Sequence, residues 1–170
     1  MSTIRSIALA AIASSLLLVT GANAQTVSLV DHQGTWSLYA DTASPKQVCF
    51  VAAAPQAVEP IGANRGPIYF YISAWPNDGI KLEPSIKAGY PVKPDKDMTV
   101  TVGSDTFKLF GNGDRGFVSD PTEELKLIES MKKGSSAVVK GVSAKGTGTT
   151  DTYALSGLSQ TLDKMAATCP

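Results

Sequence analysis

The sequence predicts a mainly β protein, an antiparallel β-sandwich of immunoglobulin-like type with one or two short helices. Three observations carry this. The run Arg65-Gly66-Pro67-Ile68-Tyr69-Phe70-Tyr71-Ile72-Ser73 alternates strong β-formers, with Ile68, Phe70 and Ile72 facing one way and Tyr69, Tyr71 and Ser73 the other. Several further short alternating segments follow, separated by turn residues. Strong helix signals are confined to the last third of the chain, so an alternating βα fold with a parallel sheet is disfavoured.

Along the chain, Met1–Arg5 carries one positive charge, Ile7–Thr20 is almost wholly apolar or small, and Ala22-Asn23-Ala24 fits the small-x-small cleavage pattern. Residues 1–24 are therefore expected to be a signal peptide for Sec-type export. The apolar run is too short to span a bilayer, which needs about 20 apolar residues, and no later segment replaces it. No twin-Arg pair precedes the run and no Cys follows the cleavage point. The expected product is residues 25–170, one β-sandwich domain in the periplasm or cell envelope without a transmembrane segment, and possible surface exposure stays open. The full chain carries 15 basic and 15 acidic residues. Loss of Arg5 leaves 14 against 15, a formal charge of −1, which favours neither nucleic acid nor an anionic membrane surface as partner.

In the mature chain, Thr26–Val30 and Gly34–Ala40 are expected to form strands around a turn at Asp31-His32-Gln33-Gly34, with Trp36, Leu38 and Ala40 sharing a face. Lys46–Ala53 is a third strand. Ala54–Gly66 lacks periodicity and is rich in Pro and Gly, so it reads as a long surface loop whose one acid and one base point to no site. After the central strand, Trp75-Pro76-Asn77-Asp78-Gly79 is a turn, because Pro fixes φ and Asn, Asp and Gly tolerate left-handed backbone. The return strand Ile80–Ala88 contains Pro84, which argues for an edge or a bulge. Met98–Val102 and Thr106–Phe110 form a second hairpin, with Val100, Val102, Phe107 and Leu109 as core.

Asp120-Pro121 opens a helix as N-cap and first helical residue, Glu123 and Glu124 occupy its first turn, and Lys132-Lys133-Gly134 ends it. Leu125, Ile128 and Met131, with Leu127 beside them, are its expected buried stripe. Ala137–Ser143 and Thr150–Leu155 resume strand. Leu158, Leu162, Met165 and Cys169 then recur at helical spacing, which aims Cys169 inward. Cys49 and Cys169 are the only cysteines. In an exported chain an even count reads as a disulfide, and neither residue has the CxxC partner or neighbouring His or Lys of a reactive thiol.

Gly111-Asn112-Gly113-Asp114-Arg115-Gly116 has the bare G-x-G-x-x-G spacing, but no helix opens at its third glycine, so it reads as a turn. Gly141–Thr147 is similar to a phosphate loop but has Thr147 where Lys must stand. His32 is the sole histidine and sits in a predicted turn. Glu123 and Glu124 diverge on a helix and suit its dipole better than glycoside hydrolysis. Asp95 and Asp97 lack the other ligands of a calcium loop. No cofactor is expected, no metal site and no catalytic residue. The aromatic residues Tyr69, Tyr71, Trp75, Tyr90 and Tyr153 remain, and such side chains anchor partners. Tyr69, Tyr71, Trp75 and Tyr90 are the candidate partner-binding residues, for a protein or envelope component.

The segments Tyr69–Ser73, Gly79-Ile80 with Gly89-Tyr90-Pro91, Phe107–Phe110, Glu123–Gly134, and Gly146-Thr147 through Asp151–Gly157 resemble the invasion-associated locus B family of alphaproteobacterial exported proteins, over about Trp36 to Cys169. The resemblance implies an all-β sandwich with short helices, an envelope location and, in some bacteria, a link to host-cell invasion. It implies no catalytic residues. The leading expectation is a non-enzymatic envelope binding module, linked to host-cell invasion or envelope integrity. The alternative is an envelope-polymer hydrolase using a Ser-Lys or carboxylate pair assembled only by folding.

Overall fold

The computed structural model describes residues 27–41 and 48–170. The expected signal peptide and the expected strand starts at Thr26 and Lys46 lie outside them. Among the described residues eleven strands join in one hydrogen-bonded order, β1-β2-β3-β5-β6-β9-β8-β7-β10-β11-β4. The strands are β1 (Val27–Gln33), β2 (Trp36–Asp41), β3 (Cys49–Ala53), β4 (Ala57–Glu59), β5 (Tyr69–Trp75), β6 (Ile80–Lys87), β7 (Met98–Val102), β8 (Asp105–Asn112), β9 (Arg115–Phe117), β10 (Ser136–Val142) and β11 (Gly148–Ala154), with helices α1 (Pro121–Lys133) and α2 (Leu158–Thr168). Every pairing is antiparallel.

Strand β8 turns this order into two layers. Its first part, Asp105–Leu109, pairs with β7, and its last part, Phe110–Asn112, pairs with β9. It thus leaves one sheet and enters the other. The layers face each other: Phe70 of β5 meets Tyr153 of β11 edge to face at 5.5 Å, and the Trp36 indole N–H of β2 donates to the Ala154 carbonyl at 3.0 Å. The result is the β-sandwich-like architecture expected from the alternation. Trp36, Leu38, Phe70, Ile72, Val100, Leu109 and Val139 fill one continuous core.

The N-terminal turn is tighter than expected. β1 runs on to Gln33, which pairs with Trp36, leaving a two-residue turn at Gly34-Thr35. Within 54–66, the pairing of Ala57–Glu59 with Thr150–Thr152 makes β4 an edge strand, so this segment is not wholly loop. Three residues are too few to show a period. The G-x-G-x-x-G run is the β8–β9 hairpin, in which Gly111 pairs with Gly116. A Cβ at Gly116 would meet the Met98 sulfur at 2.7 Å, so packing explains that glycine without a nucleotide. Pro84 lies in the half of β6 that β9 does not reach, since β9 pairs only with Ser85–Lys87. Its missing N–H therefore breaks no ladder on that side.

Helix α1 begins as its sequence dictates. The Asp120 carboxylate accepts from the N–H groups of Thr122 and Glu123, and these bonds hold it below the usual carboxylate range. The buried face is Leu127, Ile128 and Met131. Leu125 is 55% exposed, which corrects the expected stripe. Glu124 lies three residues before Leu127 and shares that face. Burial, then Glu83 and Asp120, push its carboxyl up. On α2, Leu158, Leu162 and Met165 are buried as their spacing predicts, and Cys169 caps the helix and bonds Cys49 of β3.

The disulfide closes a span of 120 residues, which the chain-entropy treatment values at about 4–5 kcal/mol. Denaturant unfolding of a Cys49→Ser, Cys169→Ser double variant should show a loss on that scale. For Asp120, a folded pKa below the unfolded one means the cap's contribution is complete above the ordinary carboxylate pKa and is lost as pH falls through the folded value. The gap in melting temperature between wild type and Asp120→Ala should therefore be widest near neutrality and narrow in acid.

Candidate functional site

The strongest surface feature is built by the alternation of the first sheet. Residues opposite one another in antiparallel strands point to the same face, so the pairs Tyr39 with Phe50, Ala52 with Tyr71, and Tyr71 with Ser85 define an outer layer across β2, β3, β5 and β6. Ser85 pairs with Phe117, and Phe117 with Phe110, which carries that layer over β9 and β8. The rings touch in sequence: Tyr39 stacks on Phe50 at 5.1 Å, Phe50 meets the Tyr71 edge at 5.8 Å, and Tyr71 lies 5.6 Å from Tyr69. Phe110 and Phe117 form a second pair at 5.9 Å. The inward positions of the same strands, such as Leu38, Val51, Phe70 and Ile86, are fully buried in the core.

Charge sits at one side of this aromatic layer. The Arg115 guanidinium lies 5.3 Å over the Tyr71 ring, a cation–π contact. Lys87 pairs with Asp114 at 2.6 Å, and that hydrogen bond holds the Asp114 carboxyl low. Burial raises the Tyr71 phenol, against a smaller opposing pull from Arg115. Phenols beside a guanidinium offer donors, acceptors and apolar ring faces together. That combination suits recognition of a partner.

The structure divides the five aromatic residues singled out from the sequence. Tyr69 and Trp75 are each 36% exposed and Tyr71 is half-buried. Tyr69 and Tyr71 belong to the outer layer, whereas Trp75 stands at the far end of β5 beside the turn Pro76–Asp78. Tyr90, 9% exposed, and Tyr153, fully buried, are interior residues. Their surroundings give the reason.

Arg65 organises that interior. Its guanidinium donates to both carboxylate oxygens of Asp151 at 2.6 and 2.7 Å and, through Nε and Nη2, to the Ala88 carbonyl at 3.1 and 2.7 Å. Its carbon Cζ lies 4.9 Å above the Tyr90 ring. Burial opposes the Arg65 charge, but the hydrogen bond and attraction of Asp151 outweigh it and hold the pKa above its ordinary value. Tyr90 and the Thr149 hydroxyl share a hydrogen bond of 2.5 Å. Burial pushes both the Tyr90 and the Tyr153 phenols up. Gly66 N–H donates to the Gly89 carbonyl at 2.8 Å, and Gly89, at φ +74°, would drive a Cβ to 2.5 Å from the Gly66 carbonyl oxygen. The bareness of Gly89 lets the chain after Arg65 lie on the end of β6, whereas a Cβ at Gly66 would make only ordinary contact.

Sequence reasoning set aside the single base of the segment 54–66. Arg65 is that base, and its side chain is 6% exposed with Asp151 at 2%. A lone Arg among Pro and Gly carries no mark of burial. The nearby Gly66 and Gly89-Tyr90 were its only available signal. Among the described residues no group of three His, Cys, Asp or Glu could hold a metal. Glu123 pairs with Lys126 on the surface of α1, and His32 contacts the Ser37 hydroxyl on the exposed β1–β2 hairpin at 2.9 Å. No helix of the described residues is long and apolar enough to cross a membrane.

Comparison with known proteins agrees with this architecture. The family model described as invasion associated locus B (IalB) protein matches residues 36–166. The crystal structure of invasion associated protein B from Bartonella henselae superposes with a TM-score of 0.58 at 18% identity, covering 82% of this chain and 97% of that one. At that identity the likeness speaks for the fold alone. No curated protein matches the sequence.

The ion pair yields a stability prediction. Removing one partner of a buried pair leaves the other charge uncompensated and costs about 3–5 kcal/mol. Arg65→Met and Asp151→Leu should each lose stability on that scale in urea unfolding, and the double variant should lose clearly less than their sum. Additive losses would mean that the two side chains act independently.

Proposed function

The chain belongs to the invasion associated locus B family, and from that premise we propose that it is an exported, non-enzymatic binding module of the cell envelope, serving envelope integrity or contact with a host cell. Its partner is a protein, and the partner docks on the outer aromatic layer of the first sheet. The observation that carries this reading is the run of rings Tyr39, Phe50, Tyr71 and Tyr69 with Arg115 over Tyr71. Tyr, Phe and Arg are the residue types enriched in the energetically dominant parts of protein interfaces. The N-terminal signal pattern supports export, and the balanced formal charge supports a protein partner over nucleic acid.

A photo-reactive side chain placed at position 69 should crosslink a discrete envelope or host protein in living cells, while one at the exposed position 125 on α1 should not. A Tyr69→Ala, Tyr71→Ala double variant with unchanged melting temperature should lose affinity for that partner by about 30-fold or more, the scale of a hot spot. Equal crosslinking at both positions, or full affinity in the double variant, would remove the outer layer from the reading. Protease treatment of intact cells separates the two locations: cleavage supports contact with the host, and protection supports a role inside the envelope.

A further inference from the structure

A second concavity, away from the aromatic layer, lies over the buried Arg65–Tyr90 cluster. It encloses about 520 Å³ and is walled by the segment before β5, by Gly89–Pro91 after β6, and by the β10–β11 turn. A cavity of this size accommodates a small polar ligand. Tyr90 lines it at its inner side, with Arg65 over one face of the ring and the phenol tied to Thr149.

The chemistry of the lining is selective. Hydrogen-bonding capacity comes from the Asn64 amide and the hydroxyls of Ser143 and Thr147. The Ser143 oxygen accepts the Thr147 N–H at 3.1 Å, so its own O–H remains able to donate. No Asp or Glu lines the cavity. Arg65 contributes no net charge, because Asp151 neutralises it in a bidentate pair. Lys145 is thus the one lining charge without a counter-charge among the described residues. An aromatic ring and Pro91 for the C–H face of a ring, hydroxyls and an amide for a polyol, and a single cation at the rim fit a sugar bearing a carboxylate.

We propose that this cavity binds a carboxylated sugar unit, with Lys145 facing the carboxylate and Pro91 and Tyr90 lining the wall beside the ring. The site is separate from the outer layer and does not rest on the protein-binding reading. Digalacturonate serves as the anionic probe and its methyl ester as a neutral counterpart of nearly the same shape. Titration of the isotopically labelled full mature chain should give saturable amide shifts centred on Asn64, Tyr90 and Lys145 with digalacturonate, weakened by added salt. The ester should bind measurably more weakly, by up to about fivefold, the scale of one exposed charge pair. Lys145→Glu should remove the preference for the acid, and Ala144→Trp, at an exposed lining position, should abolish binding of both probes while leaving the melting temperature unchanged. The Tyr69→Ala, Tyr71→Ala variant should bind as wild type does. The proposal is overturned by any of four results: no saturable shifts, equal affinity for acid and ester, unchanged binding in Ala144→Trp, or an equally tight fit of a glutamate-containing tripeptide.

Discussion

The bidentate pair between Arg65 and Asp151 is the constraint on which the arrangement of the two layers depends. Asp151 stands in β11 of one layer, Ala88 directly follows β6 of the other, and the Arg65 guanidinium holds both while its chain leads into β5. An isolated guanidinium in an apolar interior would cost far more than a single hydrogen bond returns. Here both carboxylate oxygens and a carbonyl share its donors, and the Tyr90 ring covers it. These partners fix where the chain enters β5. The position of β5 in turn places Phe70 against Tyr153 inside and Tyr69 and Tyr71 outside.

Much of this was legible in the sequence because it rests on local rules. The Asp120-Pro121 start of α1, the hairpins with glycine turns and the inward aim of Cys169 each follow from a few neighbouring residues. The sandwich itself was legible because both faces of β5 announce themselves in period two. What stayed hidden depends on partners distant in sequence. β4 is a strand only because β11 offers it an edge, and β9 only because β6 and β8 flank it. Arg65 is buried because Asp151, 86 positions later, meets it. Leu125 was expected inside because it recurs with Ile128 and Met131 at helical spacing, but the helix turned toward Leu127, Ile128 and Met131, exposing Leu125 and drawing Glu124 partly in.

The candidate site was half legible for the same reason. Alternation assigned Tyr69 and Tyr71 to the face opposite Phe70, and the structure keeps them there. It could not show that Tyr39 and Phe50 from two other strands would continue the layer, since register between distant strands is invisible in one-dimensional spacing. Nor could it separate Tyr90 from Tyr69, because both are tyrosines in β-rich surroundings and only the Arg65 guanidinium and the Thr149 hydroxyl beside Tyr90 mark it as interior.

Strand β8 has a consequence for how the molecule withstands stress. Because its two halves belong to different layers, neither layer owns a complete hydrogen-bond ladder without it. Peeling one layer away strips backbone partners from the other at the same strand, so partial opening by layers is unfavourable. The sandwich therefore behaves as one cooperative unit rather than as two stacked plates, and it presents proteases with few half-open intermediates.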